Sequence, residues 1–263
     1  MDKNKKMKTL DKFNLAGQVC IITGGEGLLG KKHAEAIKDA GGIPISLDTQ
    51  GSPDFKVDIT DKKILEEVKE KILERYNRID VLINNAANNP KVEDAQTNWT
   101  RFENFPEKTW DDDLSVSLKG AFFCSQVFGN YMAEQGRGVI LNISSDLGII
   151  APDQRIYRKE GLKKKEQMVK PITYSVVKHG LIGLTKYLAT YWADKGMRVN
   201  AICPGGVFNQ QEEEFVKKLV NLIPMGRMAN QDEYKAAILF LISNASSYMT
   251  GSVVVIDGGR TCW

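Results

Sequence analysis

Short apolar runs alternate with longer amphipathic stretches along most of the chain. Val19-Cys20-Ile21-Ile22, Ile43-Pro44-Ile45-Ser46-Leu47, Phe55-Lys56-Val57-Asp58 and the segments 79–84, 139–143, 198–203 and 253–256 are four to six residues long and mostly rich in β-branched side chains. They read as strands. Between them, apolar residues recur three and four apart over 29–40, 61–77, about 106–135, 174–195, 211–222 and 231–243, which predicts helices. In 61–77 the residues Ile64, Leu65, Val68 and Ile72 share one face. Strands separated by helices imply an α/β domain with a doubly wound parallel sheet of about seven strands, helices covering both faces. One domain over 15–263 is expected, preceded by a flexible tail over 1–14. Segment 88–106 is polar and reads as a surface loop, and 146–172 breaks the rhythm.

Composition narrows the function classes. Charged residues make up 26% and hydrophobic ones 42% of 263 residues, an ordinary balance for a water-soluble domain. A net charge of +3 gives no reason to expect nucleic acid. No apolar run is long enough to span a bilayer, and the lysine-rich start lacks the apolar stretch of a secretion signal. Cys20, Cys124, Cys203 and Cys262 are far apart; they form neither a zinc motif nor a disulfide framework. The expected setting is the cytoplasm, and the expected partner a small molecule.

The run Thr23-Gly24-Gly25-Glu26-Gly27-Leu28-Leu29-Gly30 joins the first strand to the first helix. Glycines there let a pyrophosphate approach the backbone N–H groups at a helix N-terminus. Asp48 follows the second strand, about twenty residues on, where an acid can bind ribose hydroxyls and repel a 2′-phosphate. No cation follows in Thr49-Gln50-Gly51, so NAD is expected rather than NADP, although Lys31 and Lys32 lie close enough in sequence to blunt that preference. Tyr174 and Lys178 are spaced four apart, on one helix face. A phenol must shift by about three units to work near neutrality, and an adjacent ammonium favours the phenolate. Such a pair is also common on helix surfaces, but Ser144-Ser145 ends the preceding strand and brings a hydroxyl to the same edge. His33 and His179 are read as packing or surface residues.

Taken together, the glycine loop, Asp48, Asp58-Ile59-Thr60, Asn84-Asn85-Ala86, the serine strand, the Tyr174-x-x-x-Lys178 pair, Pro204-Gly205 and Ile256-Asp257-Gly258-Gly259 resemble the short-chain dehydrogenase/reductase family, in its compact single-domain branch. The resemblance spans about Leu15 to Gly259. It implies a Rossmann-type sheet, a nicotinamide cofactor and hydride transfer to or from a carbonyl. Tyr174 would be the acid/base, Lys178 would bind the nicotinamide ribose and lower the tyrosine pKa, and Ser145 would orient the substrate oxygen. The cofactor would lie against Gly24, Glu26, Gly27, Leu28 and Leu29, then Asp48, Asp58, Ile59, Asn85 and Ala86, and then Tyr174, Lys178, Pro204, Gly205 and Val207. A homotetramer, or a homodimer, through the helices near 107–135 and 174–195 is implied.

The chain departs from the family pattern in places. Leu28 stands where glycine is usual, Ala87 stands where NNAG would end, and Ser117 stands where an asparagine anchors a relay water. The segment 153–170 is an insertion rich in Lys and Arg between Ser145 and Tyr174. A basic overhang on the cleft suits an anionic, sugar-like substrate, with Arg155, Tyr157, Asn209 and Gln210 as expected contacts. The insertion and the lid also resemble members that modify flagellin or surface sugars, and sugar-acid dehydrogenases of the gluconate type are an equally fair comparison. A 3-oxoacyl or general carbonyl reductase and a nucleotide-binding regulator without turnover are the alternatives.

Overall fold

The computed structural model describes residues 8–88 and 99–263. Strands β1 (Val19–Thr23), β2 (Ile43–Asp48), β3 (Phe55–Lys56), β4 (Val81–Asn84), β5 (Gly138–Ile143), β6 (Met197–Pro204) and β7 (Val253–Ile256) form one sheet in the order β3-β2-β1-β4-β5-β6-β7. All pairs are parallel. Helix α1 (Leu28–Asp39) follows β1, and α2 (Lys62–Tyr76) follows β3. The alternation of side chains along β1 builds both cores. Val19 and Ile21 join Leu65, Val68 and Ile72 of α2, while Cys20 and Ile22 join Ile37 of α1 on the opposite face.

The predicted helix near 106–135 is continuous but not regular. Its α-helical pieces α3 (Glu107–Leu114), α4 (Gly120–Cys124) and α5 (Asn130–Glu134) are joined by π turns at Ser115–Lys119 and Ser125–Gly129. Helix α6 (Ile172–Tyr191) packs on β6, α7 (Glu213–Val220) forms a flap, and α8 (Lys235–Ile242) completes the second core.

Some expectations change. Ile64 is 37% exposed: Asp61 caps α2 by accepting from the N–H groups of Lys63 and Ile64, which places Ile64 in the first turn, beyond the buried stripe. Thr9–Phe13, assigned to the tail, is a 3-10 helix lying against Asn244–Ser246. Within the predicted loop 88–106, residues 89–98 lie outside the described residues, and Phe102–Asn104 is a 3-10 turn. The order of strands reverses between β1 and β4, and a cleft opens there at the strands' carboxyl ends, as expected for this topology.

Candidate active site

The first half of the cleft is built by backbone. Gly24 has φ +63°, and a Cβ there would lie 2.9 Å from the Cα of Ala86. That turn needs glycine. Gly25 and Gly30 are required for packing instead: a Cβ on Gly25 would meet Ser46 at 2.6 Å, and one on Gly30 would strike the Gly24 carbonyl. Gly27 is the N-cap of α1, and Leu28 begins the helix with its side chain at the cleft wall. The usual glycine at 28 is therefore dispensable for the turn itself. The Asn85 side chain donates to the carbonyls of Thr23 and Gly24, both at 3.0 Å, and the Thr23 hydroxyl accepts from the N–H groups of Asn85 and Ala86. Asn85 thus holds the glycine turn.

Asp48 is fixed at the mouth of this half. One carboxylate oxygen accepts from Glu26 N–H and the other from Gln50 N–H, each at 3.0 Å. Lys31 pairs with Glu26, and Lys32 with Glu35 and Asp232; neither lysine lines the cleft. Asp58, Ile59, Pro204, Gly205 and Val207 do, with Gly24, Glu26, Gly27, Leu28, Leu29, Asn85 and Ala86, around a volume of about 870 Å³. A glycine cradle beside a helix start, followed by an acid that offers only acceptor oxygens, fits a dinucleotide with free ribose hydroxyls.

The second half is built by side chains. Ser145 stands two residues past the end of β5, and Tyr174 and Lys178 project from successive turns of α6 into the same cleft. Lys178 Nζ donates to the Ile143 carbonyl at 2.8 Å and lies 5.7 Å from the centre of the Tyr174 ring. Burial, aided by the Lys170 charge, lowers Lys178 to about 8. Tyr174 moves the other way. Burial raises its phenol above the ordinary value, and the Asp146 charge adds to this, while the Ser145 hydrogen bond and Arg260 oppose it. Desolvation of the phenol dominates, and the opposing pull comes from Ser145 and Arg260 rather than from Lys178 as expected.

Ser117 lies behind this triad in the π turn. It accepts from Asn88 N–H at 3.1 Å and borders a cavity of about 10 Å³ shared with Tyr174, Lys178 and Asp113, near the lower limit for one water. Asp113, which sequence reasoning missed, is buried and accepts from the Thr173 hydroxyl at 2.5 Å; burial raises its carboxyl. A polar residue at a buried helical position was the available signal.

The substrate half requires correction. Tyr157 and Asn209 line the cleft, but Arg155 and Gln210 do not. Arg155 turns outward to a two-pronged pair with Asp153. Gln210 has φ +59°, which rotates it out of the lining, and Gln211 takes its place, bonding Val207 and Asn209 main chain. Lys159 of the insertion pairs with Glu212. Lys170 is the insertion's cation at the cleft, 3.9 Å from the Tyr174 ring centre. The cleft is also lined by Ile156, Phe215, Leu219 and Met228, an apolar cluster that the separate sequence segments did not reveal.

Comparison with known proteins agrees with this geometry. A family model described as enoyl-(acyl carrier protein) reductase matches residues 18–261. A 3-oxoacyl-(acyl-carrier-protein) reductase from Thermotoga maritima is 33% identical, covering 94% of this chain and 99% of its own. An NAD-dependent glycerol dehydrogenase from Listeria innocua is 33% identical over 97% of this chain and 98% of its own. A short-chain dehydrogenase from Leptospira borgpetersenii, solved with bound NAD+, superposes with a TM-score of 0.82 at 30% identity and 99% coverage of both chains. With a matched model along almost the whole chain, relatives 33% identical over nearly their full length and a shared fold, the protein belongs to the short-chain dehydrogenase/reductase family and is an NAD(P)-dependent oxidoreductase of alcohols and ketones.

Proposed function

We propose that the protein interconverts a secondary alcohol and a ketone on a polar, anionic, sugar-like substrate, with NAD. The carrying observation is the polar part of the cleft lining, to which Asn88, Asn209, Gln211 and Lys170 contribute, with Lys170 over the Tyr174 ring. Bound NAD supplies the hydride acceptor. Tyr174 takes the proton from the substrate hydroxyl, or returns it to the carbonyl oxygen in the reverse direction. Ser145 orients that oxygen. Lys178, buried on the next turn, holds the nicotinamide ribose and keeps positive charge near the phenol. Ser117 and its small cavity hold the water through which the proton leaves. The Asp48 carboxylate, tethered and with no cleft-lining lysine beside it, supports NAD over NADP.

The apolar wall of Ile156, Phe215, Leu219 and Met228 favours a second reading, a 3-oxoacyl or general carbonyl reductase. Nicotinamide absorbance separates the two. Purified protein is assayed with NAD and NADP across polyols, sugar acids, sugar phosphates, nucleotide sugars and acyl thioesters, with Tyr174→Phe as control. Turnover with NAD on a hydroxylated anion, abolished in the control, is expected. Turnover only on thioesters with NADPH overturns the sugar reading, and tight NAD binding without any turnover supports a regulator. A cytoplasmic homotetramer, or homodimer, completes the proposal. Three buried free cysteines suit a reducing compartment, and among the described residues no helix is long and apolar enough to cross a membrane.

A further inference from the structure

The cleft contains a buried ion pair that the proposed chemistry leaves unused. Arg260 Nη1 lies 2.6 Å from Asp146 Oδ2, with the two side chains 6% and 4% exposed. The other oxygen of Asp146 accepts from the Ser145 hydroxyl at 2.7 Å and from Leu147 N–H at 2.8 Å. An ionised carboxylate only accepts, so the Ser145 proton is committed to Asp146. Leu147 N–H also reaches Ser145 Oγ at 3.2 Å. Tyr174 also hydrogen-bonds Ser145, so the hydroxyl can donate to a substrate oxygen only when its bond to Asp146 lets go.

Arg260 reaches this place from the far end of the chain. After β7, Gly258 and Gly259 adopt φ +68° and +91°, and the Asp257 carboxylate accepts from the N–H groups of Gly259 and Thr261. This turn carries the chain back over the sheet edge and puts Arg260 into the cleft lining.

We propose that Arg260 is a positioning residue for Ser145. By bonding Asp146 it draws off the carboxylate's charge and loosens its hold on the Ser145 hydroxyl, which then turns to the substrate oxygen. The inference rests on the proposed role of Ser145. The pair also sits among titratable groups: Tyr174, Tyr234 and Cys203 feel Asp146, Asp153 feels Arg260, and Lys170 and Lys178 stand beside Tyr174. Loss of Arg260 alone leaves a buried negative charge next to the phenol. Loss of both partners leaves none.

The test compares Arg260→Met with the double variant Asp146→Leu/Arg260→Met, an apolar replacement of a kind that buried ion pairs often tolerate. Phenolate absorbance is titrated in each full-length protein against the same background carrying Tyr174→Phe, so that Tyr174 is read without any substrate. Arg260→Met is expected to raise the Tyr174 titration by about one pH unit, a roughly tenfold change in phenolate at a given pH. The double variant is expected to return it to the wild-type position or lower. With an active substrate, kcat for alcohol oxidation falls at least about tenfold in the single variant, nucleotide affinity is unchanged, and the double recovers to within about threefold of wild type. An unmoved Tyr174 titration in Arg260→Met overturns the proposal. If that variant does not fold, a folded, nucleotide-binding double that titrates above wild type overturns it. Absence of turnover in the wild type would instead count against the assigned reaction, leaving the phenolate measurement to decide the role of Arg260.

Discussion

Lys178 combines a charge that the proposed chemistry uses with a burial that penalises that charge. Its folded-state value of about 8 lies below the ordinary 10.5. Below pH 8 the folded and unfolded chains both carry the proton, and the buried ammonium costs its full amount. Between about 8 and 10.5 only the unfolded chain holds it, so stability rises with pH across that window. Lys178→Met removes this dependence; denaturant titrations at pH 7 and 10 should show the wild type gaining up to about 3 kcal/mol more than the variant over that interval. At the other end of the cleft, Asp48→Asn removes the charge that the proposed reading sets against the ribose. The ratio of kcat/KM for NAD over NADP should fall by about 10- to 100-fold, as for loss of a hydrogen bond to a charged group; an unchanged ratio would leave the cofactor preference without a cause at Asp48. That Ser145, Tyr174 and Lys178 share one cleft was legible, because each follows from a strand end or a four-residue spacing. Arg155 and Gln210 were not, because a loop side chain takes its direction from local pairing and φ, which no spacing encodes. Asp146 and Arg260 meet from opposite ends of the catalytic half, with no shared period to announce them.

At the scale of elements, caps and turns set the registers that bring these residues together. Asp61 satisfies two N–H groups at the start of α2, and Asn77 ends it in the left-handed region. Asp61→Ala should lower stability by about 1 kcal/mol and Tm by about 2–4 °C for a chain of this size, with nucleotide affinity unchanged, since neither Asp61 nor any residue of α2 lines the cleft. Gly24→Ala should act in the opposite manner. A Cβ 2.9 Å from the Ala86 backbone at positive φ displaces the loop, and isothermal titration should find nucleotide binding weakened at least about tenfold. The strands and most helices were readable because both cores are built from simple alternation. The π turn that carries Ser117 was not readable. Its extra residue shifts the helix face locally without changing composition, and such turns often mark functional positions.

For the whole molecule, the outward faces of the long helix and of α6 leave Phe122, Val176, Tyr187 and Tyr191 exposed, with the two tyrosines stacked at 5.8 Å. Apolar side chains gathered on two long helices suit the proposed assembly. Light scattering should give a tetramer or dimer for the wild type and a smaller species for Phe122→Asp/Tyr187→Asp; a wild-type monomer at micromolar concentration would remove the assembly. The insertion illustrates what sequence reading misses at this scale: its excess of cations was visible, but its apolar residues, Ile156 above all, close against Leu219 of the flap and Met228 beyond it. A final consequence follows from the burial of the thiols. Cys20, Cys124 and Cys203 are enclosed, and Cys262 stands exposed two residues past Arg260. The natural chain therefore offers one fast-reacting attachment point for a fluorophore, at the segment that holds the buried ion pair, where a dye can follow the C-terminal turn in real time as nucleotide is mixed in.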